Sequence, residues 1–203
     1  MLVFDHLALA AESLAEGVAH VEAALGVSLA GGGDHAVMGT HNRLLGLGDL
    51  YFEVIAINPA APAPAHPRWF DLDRFSGRPR LTNWICRCAD LEAEITPSPA
   101  GIGQPLAFAR GDFRWRMAVP DNGVLPFDNA FPALIEWQGA AHPAQHLPEC
   151  GVRLSVLEIA HPEAAALRMA LQGRLSDPRV VVTEGAPAFQ ARFETPGGMR
   201  WLI

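Results

Sequence analysis

Hydrophobic and polar residues alternate along the first segment of the chain and then change to a helical period. Leu2–Ala10 alternates with period two, which predicts a β-strand with Phe4 and His6 on one face. An amphipathic helix is predicted next, from Ser13 as its N-cap to Gly26 just past its last turn. Its apolar stripe has spacings of four, three and four and consists of Leu14, Val18, Val21 and Leu25.

Further strand-like segments complete a first unit. The run from Gly31 to Asp34 predicts a turn, because it is rich in glycine and lacks the spacing of a phosphate-binding loop. Strand-like segments follow at 35–38 and 40–47, and a strand is predicted around Glu53. The order strand, helix, strand, strand, strand is a βαβββ unit.

The same order recurs along the chain, which predicts an α+β fold of repeated βαβββ modules. The units are 1–58, 81–139 and 151–203, joined by proline-rich connectors at 59–80 and 140–150. We expect a single domain over residues 1–203, in which curved mixed sheets surround a cup and the helices cover the outer face. Three aromatic residues in the first connector indicate that it packs on the body: Trp69, Phe70 and Phe75.

Composition and charge narrow the partners to small molecules or proteins. The 203 residues carry a formal net charge of -7, so no basic surface is available to neutralise nucleic-acid phosphates. No apolar run approaches the roughly 18 residues that a membrane-spanning helix needs, and no basic leader is present. Three sparse cysteines favour a reducing compartment, so we expect a cytoplasmic protein. A homodimer is left open.

Candidate chemistry begins with Glu53, a carboxylate among apolar residues on both faces of its strand. Burying it ionised costs several kcal/mol, roughly, unless a cation, a metal or hydrogen-bond donors meet it. Arg43 and Arg116 are candidate partners, and a metal is the alternative. His6 lies in a similar apolar strand, where a buried structural histidine and a ligand histidine are both open.

Four segments together resemble the glyoxalase-like members of the vicinal oxygen chelate superfamily, which also contains bleomycin-resistance proteins and extradiol dioxygenases. They are FDHLALA before a capped helix, GTHNRLLGLGDLYFEVIAINP, LPFDNAFPALIEWQ before an HP connector, and LEIAHPEAAAL at the start of the third unit. The resemblance spans nearly the whole chain. It implies paired βαβββ modules curled into a cup, with a divalent metal held inside by histidine and glutamate side chains.

Transferred to this sequence, the resemblance implies His6 and Glu53 as metal ligands of the first module and Glu136 as the ligand of the second. The position that matches His6 in the second module is Asn83 or Trp84, so His41 is a candidate for the missing imidazole. The metal would be Zn, Mn, Ni, Co or Fe(II), and no nucleotide cofactor is expected.

The implied function is the binding of a small oxygen-rich molecule, with metal chelation of neighbouring oxygens and lyase, isomerase or dioxygenase chemistry. Glu136 is the candidate general base. Asn42 and Arg116 are candidate substrate contacts, and Trp84 belongs to a set of tryptophans that would line the cup. The alternative is a metal-free protein that binds or sequesters a small molecule, as the bleomycin-resistance proteins do.

Overall fold

The computed structural model describes residues 1–203, with twelve strands, three α-helices and two short 3-10 segments. The strands are β1 Val3–Ala10, β2 Ala30–His35, β3 Thr40–Gly46, β4 Tyr51–Ile57, β5 Arg80–Arg87, β6 Gln104–Arg110, β7 Phe113–Val119, β8 Ala133–Trp137, β9 Arg153–Ala160, β10 Val180–Thr183, β11 Ala188–Thr195 and β12 Gly198–Leu202. The helices are α1 Leu14–Leu25, α2 Leu91–Ile95 and α3 Ala164–Leu171, and the 3-10 segments are Trp69–Arg74 and Pro143–Gln145.

The first two units share one sheet of eight strands in the order β2-β3-β4-β1-β5-β8-β7-β6. β1 and β5 pair antiparallel at its centre, whereas β1–β4 and β5–β8 are parallel pairs. The sheet curls into a half-barrel whose concave face is the cup, and its helices lie on the convex face. The predicted α+β fold of repeated βαβββ modules is therefore confirmed.

The third unit forms its own four-stranded sheet in the order β10-β9-β11-β12. This sheet packs behind the half-barrel, where the rings of Phe52 and Phe193 meet edge to face with their centroids 5.9 Å apart. Helix α1 contacts β4 on one side and β12 on the other. The third unit therefore supports the convex face and contributes no strand to the cup. None of the helices is long and apolar enough to cross a bilayer.

Local sequence accounts for the limits of α1. The Ser13 side chain accepts a hydrogen bond from the Glu16 backbone N–H, and Gly26 ends the helix in the left-handed region at φ 71°. Val21 and Leu25 are buried against the sheet, as the spacing of the apolar stripe predicts. Burial of each such side chain stabilises the fold by about 1.5–3 kcal/mol.

The predicted turn at 31–34 is wrong, because these residues form most of β2. Gly32 has φ 140°, and a Cβ there would lie 2.2 Å from the carbonyl oxygen of Asn42. Only glycine allows the two strands to approach so closely. The consequence for the cup is that β2 continues to His35 and presents that side chain on the concave face.

A β-bulge at Asp5 changes the faces of β1. Phe4 pairs with Cys86 and His6 with Ile85, so an advance of two residues along β1 corresponds to an advance of one residue along β5. Phe4 and His6 therefore lie on opposite faces, whereas strict alternation predicts a shared one. Phe4 packs against Trp84 behind the sheet, with ring centroids 5.6 Å apart, while His6 lines the cup.

The single-domain organisation remains a prediction, which limited proteolysis can test. The connector at 59–80 carries the buried rings of Trp69 and Phe70, so we expect its backbone to resist cleavage. Trypsin at low concentration is expected to degrade the chain without accumulating a stable fragment that ends near residue 80. Accumulation of such a fragment, identified by mass spectrometry, would contradict a single domain.

Candidate functional site

The concave face of the half-barrel encloses a cavity of about 30 Å³ that both modules line. This volume holds about one or two water molecules. The polar lining side chains are His6, His35, Asn42, Tyr51, Glu53 and Arg110. The apolar ones are Trp69, Phe70, Trp115, Met117, Ile135 and Trp137.

Asp5, beside the cavity, is a fully buried carboxylate with an unusual number of donors. It accepts hydrogen bonds from His6 Nδ1 at 2.6 Å, His142 Nε2 at 2.8 Å and Trp137 Nε1 at 3.1 Å. Arg87 adds a guanidinium contact at 3.4 Å. Burial raises the pKa of the Asp5 carboxyl, but the bonds from His142 and His6 outweigh it and hold this pKa far below its ordinary value. Asp5 is therefore a permanent anion.

This anion sets the tautomer of His6. The proton on Nδ1 is held by Asp5, which assigns the lone pair to Nε2, and Nε2 faces the cavity. The Tyr51 ring stacks on the imidazole at 4.2 Å, and its hydroxyl lies 3.3 Å from Nε2. Burial raises the pKa of Tyr51 well above its ordinary value, so the phenol keeps its proton and donates.

Glu53 meets the side chains of Asn42 and His6. Its Oε1 accepts a hydrogen bond from Asn42 Nδ2 at 2.6 Å, and its Oε2 lies 3.7 Å from His6 Nε2. Neither of the arginines proposed from the sequence reaches it, because Arg43 donates to the Asn42 carbonyl and Arg116 to Glu92 and Glu136. One carboxylate oxygen is thus fixed, and the other is directed at the imidazole across the cavity.

A second set of polar side chains, from β2, β3 and β6, faces His6 and Glu53. Arg110 donates to Asn42 Oδ1 at 2.9 Å and lies 3.3 Å from His35 Nε2. His35 bonds Thr40 through its other ring nitrogen at 3.0 Å. Burial, and then the charge of Arg110, lower the pKa of His35 to about 3, so its imidazole is neutral. Arg110 is therefore the permanent cation that lines the cavity.

The buried neutral state of His35 predicts a loss of stability below pH 6.5. The unfolded imidazole takes up its proton near 6.5, whereas the folded one does so only near 3. The unfolded state binds more protons in this window, so the free energy of unfolding falls by up to about 1.4 kcal/mol per pH unit. His35→Gln is expected to reduce this slope between pH 6.5 and 4, measured as urea midpoints.

The matched control for this pH dependence is His20→Gln, because His20 is a half-buried histidine of α1 that lies outside the cavity. We expect it to keep the wild-type slope. An unchanged slope in His35→Gln would contradict the assignment of the buried neutral imidazole.

Aromatic rings form a continuous wall around the polar groups. The ring of Trp69 stacks on that of Phe70, with centroids 5.5 Å apart, and packs against that of Phe108, with centroids 5.1 Å apart. Phe108 stacks on Trp115, and Trp115 packs against Trp137, each with ring centroids 5.6 Å apart. Such a wall excludes water and strengthens the electrostatic interactions inside the cavity.

The structure brings together three of the residues predicted from the sequence, namely His6, Glu53 and Asn42. It does not bring Glu136 to them. Ile135 and Trp137 line the cavity, and Glu136 between them lies on the opposite face of β8, where it accepts from the Leu91 backbone N–H at 2.9 Å. There it also pairs with Arg116.

His41 and Trp84 are also placed away from the cavity. His41 precedes the cavity-lining Asn42 on β3 and lies on the other side of that strand, opposite Asp34 in the register. Trp84 is fully buried behind the sheet and donates to the Ala130 carbonyl at 2.9 Å. Trp84 lies opposite Leu7 in the pairing of β5 with β1, on the face of the sheet away from the cavity.

The sequence reasoning missed five residues of the site: Asp5, His35, Tyr51, Arg110 and His142. Asp5 offered a signal, because it is a second polar residue in an apolar strand directly before His6. Tyr51 also offered one, because period-two alternation places it on the same face of its strand as Glu53. His35, Arg110 and His142 meet the site only through strand pairing and the path of a connector, so no local spacing indicated them.

The donor set does not fit the divalent metal that the resemblance implies. His6 Nε2 and Glu53 Oε2 are close enough to share an ion, yet no group of three or more His, Cys, Asp or Glu side chains in the chain is arranged so that it could hold a metal ion. The side chain that faces them is the Arg110 guanidinium, whose positive charge opposes a cation. A metal site here would need two or more further ligands from outside the chain.

Comparison with known proteins gives one family match, to a glyoxalase-like domain, over residues 4–175. No protein of curated function matches the sequence. Among solved structures, a hypothetical protein from Staphylococcus aureus has a TM-score of 0.64 at 13% identity, covering 93% of this chain and 88% of that one. Methylmalonyl-CoA epimerase from Mycobacterium tuberculosis has a TM-score of 0.43 at 18% identity, covering 68% of this chain and 88% of the epimerase.

Proposed function

Because the chain belongs to the glyoxalase-like domain family, we propose that it binds a small carbonyl compound with neighbouring oxygens and moves a proton at the adjacent carbon. The observation that carries the proposal is the buried pair of His6 Nε2 and Glu53 Oε2, 3.7 Å apart on one cavity. Arg110 faces this pair with a positive charge. A base and a cation on one cavity suit the formation of an enediolate.

Glu53 is the proposed base. Its Oε1 is held by Asn42, which leaves Oε2 free to accept a proton from the carbon beside the carbonyl. The electron pair of that C–H bond moves into the carbon–carbon bond, and the carbonyl oxygen becomes an oxyanion. Return of the proton to the same carbon gives hydrogen exchange or inversion of its configuration. Its return to the former carbonyl carbon, with transfer of the hydroxyl proton from the neighbouring oxygen to the oxyanion, completes an isomerisation.

Arg110 and Tyr51 are proposed to stabilise the oxyanion. The NH1 group of Arg110 is fixed by Asn42 and His35, which aims the guanidinium into the cavity before the substrate binds. The phenol of Tyr51 supplies a neutral donor beside it. Removing one such preorganised donor typically costs about 100- to 1,000-fold in rate.

His6 is proposed to exchange the proton with Glu53. Its Nε2 lies 3.7 Å from Glu53 Oε2 and would take the proton when the Tyr51 hydroxyl turns from Nε2 to the oxyanion, and Asp5 would stabilise the resulting imidazolium through the Nδ1–H bond. Asp5 thus acts through His6 and does not touch the substrate.

Metal chelation by His6 and Glu53 is the alternative mechanism, and it predicts a different response to ions. We expect Zn, Mn, Ni, Co and Fe(II) to raise the unfolding temperature of untagged wild-type protein no more than that of Glu53→Gln. An ion at a hundredfold its Kd would stabilise the folded state by about 2.7 kcal/mol. A shift specific to the wild type would contradict the metal-independent proposal.

Binding without turnover is the second candidate function, and the aromatic wall of the cavity favours it. Hydrogen exchange in D₂O separates the two. Hydroxyacetone, dihydroxyacetone and pyruvate each carry C–H bonds beside a carbonyl, and their exchange is measured by proton NMR. We expect the protein to accelerate exchange of at least one of them. Saturable binding with no accelerated exchange of any of the three would support the binding protein and contradict the enzyme.

A further inference from the structure

A second cavity, of about 350 Å³, lies between the half-barrel, the first connector and the third unit. Ligand sites typically measure about 300–1,000 Å³, whereas the polar cavity beside His6 measures about 30 Å³. The polar cavity alone has room only for the oxygen-bearing end of a small carbonyl compound and not for a larger body attached to it. The larger cavity has the volume that it lacks.

One residue lines both cavities. Phe70 lines both of them, and its ring stacks on Trp69. The backbone at Phe70 is left-handed, with φ 60°, and the next residue Asp71 has φ 56°. Non-glycine residues adopt this region at a cost, and such strain clusters at ligand clamps and switches.

Backbone strain elsewhere in the chain gathers at the same place. The five non-glycine residues with positive φ are Phe70, Asp71, Phe127, Asp128 and Asn129. All of them except Phe127 line the larger cavity. Four of the five non-glycine residues with left-handed backbone are therefore gathered around one cavity.

An unpaired carboxamide lies on the concave face of β5, at a strand position between those next to the two cavities. Asn83 is opposite Ala8, between Ile85, which is opposite His6, and Arg80, which lines the larger cavity. Asn83 is 0% exposed, and both of its side-chain polar atoms lack a hydrogen-bond partner. Buried polar atoms are nearly always paired, so this amide is suited to a partner from outside the chain.

We propose that the two cavities form one ligand site, divided by Phe70, and that Asn83 hydrogen-bonds the ligand where it crosses. The oxygen-bearing end would reach His6 and Glu53, which rests on the proposed function. The remainder would be an uncharged apolar or aromatic group in the larger cavity.

The lining of the larger cavity supports an uncharged occupant. Phe75, Phe189 and Leu81 supply apolar surface. The formal charges are balanced, because two arginines, Arg74 and Arg80, are matched by Asp71 and Asp128. Arg74 pairs with Asp71 at 2.6 Å, and the guanidinium of Arg80 lies over the Phe75 ring. The ligand class is therefore a carbonyl compound that carries an aromatic or branched apolar body.

Titration calorimetry with pyruvate and phenylpyruvate tests the joined site, because the two probes share the oxygen-bearing end and only the second has an aromatic body. We expect phenylpyruvate to bind the wild type at least tenfold more tightly than pyruvate. Ala188→Trp, which fills the larger cavity, is expected to remove this preference and leave pyruvate binding unchanged. Ala107→Trp is the control, since Ala107 is an exposed strand residue outside both cavities.

Asn83→Leu gives a second, independent measurement. It removes the unpaired amide, so we expect a higher unfolding temperature together with at least tenfold weaker phenylpyruvate binding. A stabilised variant with unchanged binding would overturn the role of Asn83, and equal affinity of the wild type for both probes would overturn the joined site. A tenfold preference that Ala188→Trp abolishes supports it, even where no hydrogen exchange is observed and the proposed reaction fails.

Discussion

Asp5→Asn is expected to lower the free energy of unfolding by about 3–5 kcal/mol, the usual cost of breaking a buried charged network. The substitution leaves an amide group among the donors His6, His142 and Trp137, where a carboxylate accepts from all three. At least one of these donors must then face an N–H group or go unpaired. Urea unfolding monitored by tryptophan fluorescence measures the change.

The same substitution is expected to alter the pH dependence in the acid range. Because the folded pKa of Asp5 is depressed, its contribution to stability is present above the unfolded pKa near 3.8 and is lost as the pH falls toward the folded value. Asp5→Asn should therefore flatten the stability curve below about pH 5. Asp112→Asn, at an exposed position, is the control and should keep the wild-type curve. Equal stability of Asp5→Asn and the wild type at pH 7 would contradict the anionic network.

Glu53→Gln is expected to reduce hydrogen exchange in D₂O by about 100- to 10,000-fold, the contribution of a positioned general base. Glutamine keeps the shape of the side chain and can still accept from Asn42, so little change in fold is expected. What it loses is the basic oxygen opposite His6. Exchange rates are compared for whichever of the three carbonyl compounds the wild type accelerates.

Glu136→Gln is the matched control for this experiment. Glu136 ends the second module as Glu53 ends the first, but it lies on the convex face and pairs with Arg116. We expect its loss to weaken α2 packing and leave the exchange rate within a few-fold of wild type. Loss of exchange in Glu136→Gln, with Glu53→Gln active, would reverse the assignment and return the base to the residue predicted from the sequence.

Much of the fold could be predicted from periodicity, because each unit buries its apolar face by local spacing. Ser13 and Gly26 limit α1 through short-range hydrogen bonding and backbone geometry, which a sequence displays directly. The errors arose where tertiary contact overrides the local pattern. Gly32 is typical of a turn by local sequence, but it is needed in β2 because the backbone of Asn42 on the neighbouring strand approaches it closely.

The candidate site was partly predictable for the same reason. His6 and Glu53 were found because polar residues in apolar strands need partners. Period-two alternation does not predict the bulge at Asp5, which places Phe4 and His6 on opposite faces of the sheet. Arg110 comes from the second module through strand pairing across the sheet, so no spacing within the first module indicates it.

The most direct measurement is the hydrogen-exchange rate of His6→Gln, Glu53→Gln and the double variant under identical conditions. If the two side chains pass one proton between them, each single substitution removes most of the rate and the double variant loses little more. Two results would contradict a proton shared across the 3.7 Å between His6 and Glu53. One is an exchange rate equal to that of the wild type in either single variant. The other is a loss of rate in the double variant equal to the product of the losses in the two single variants.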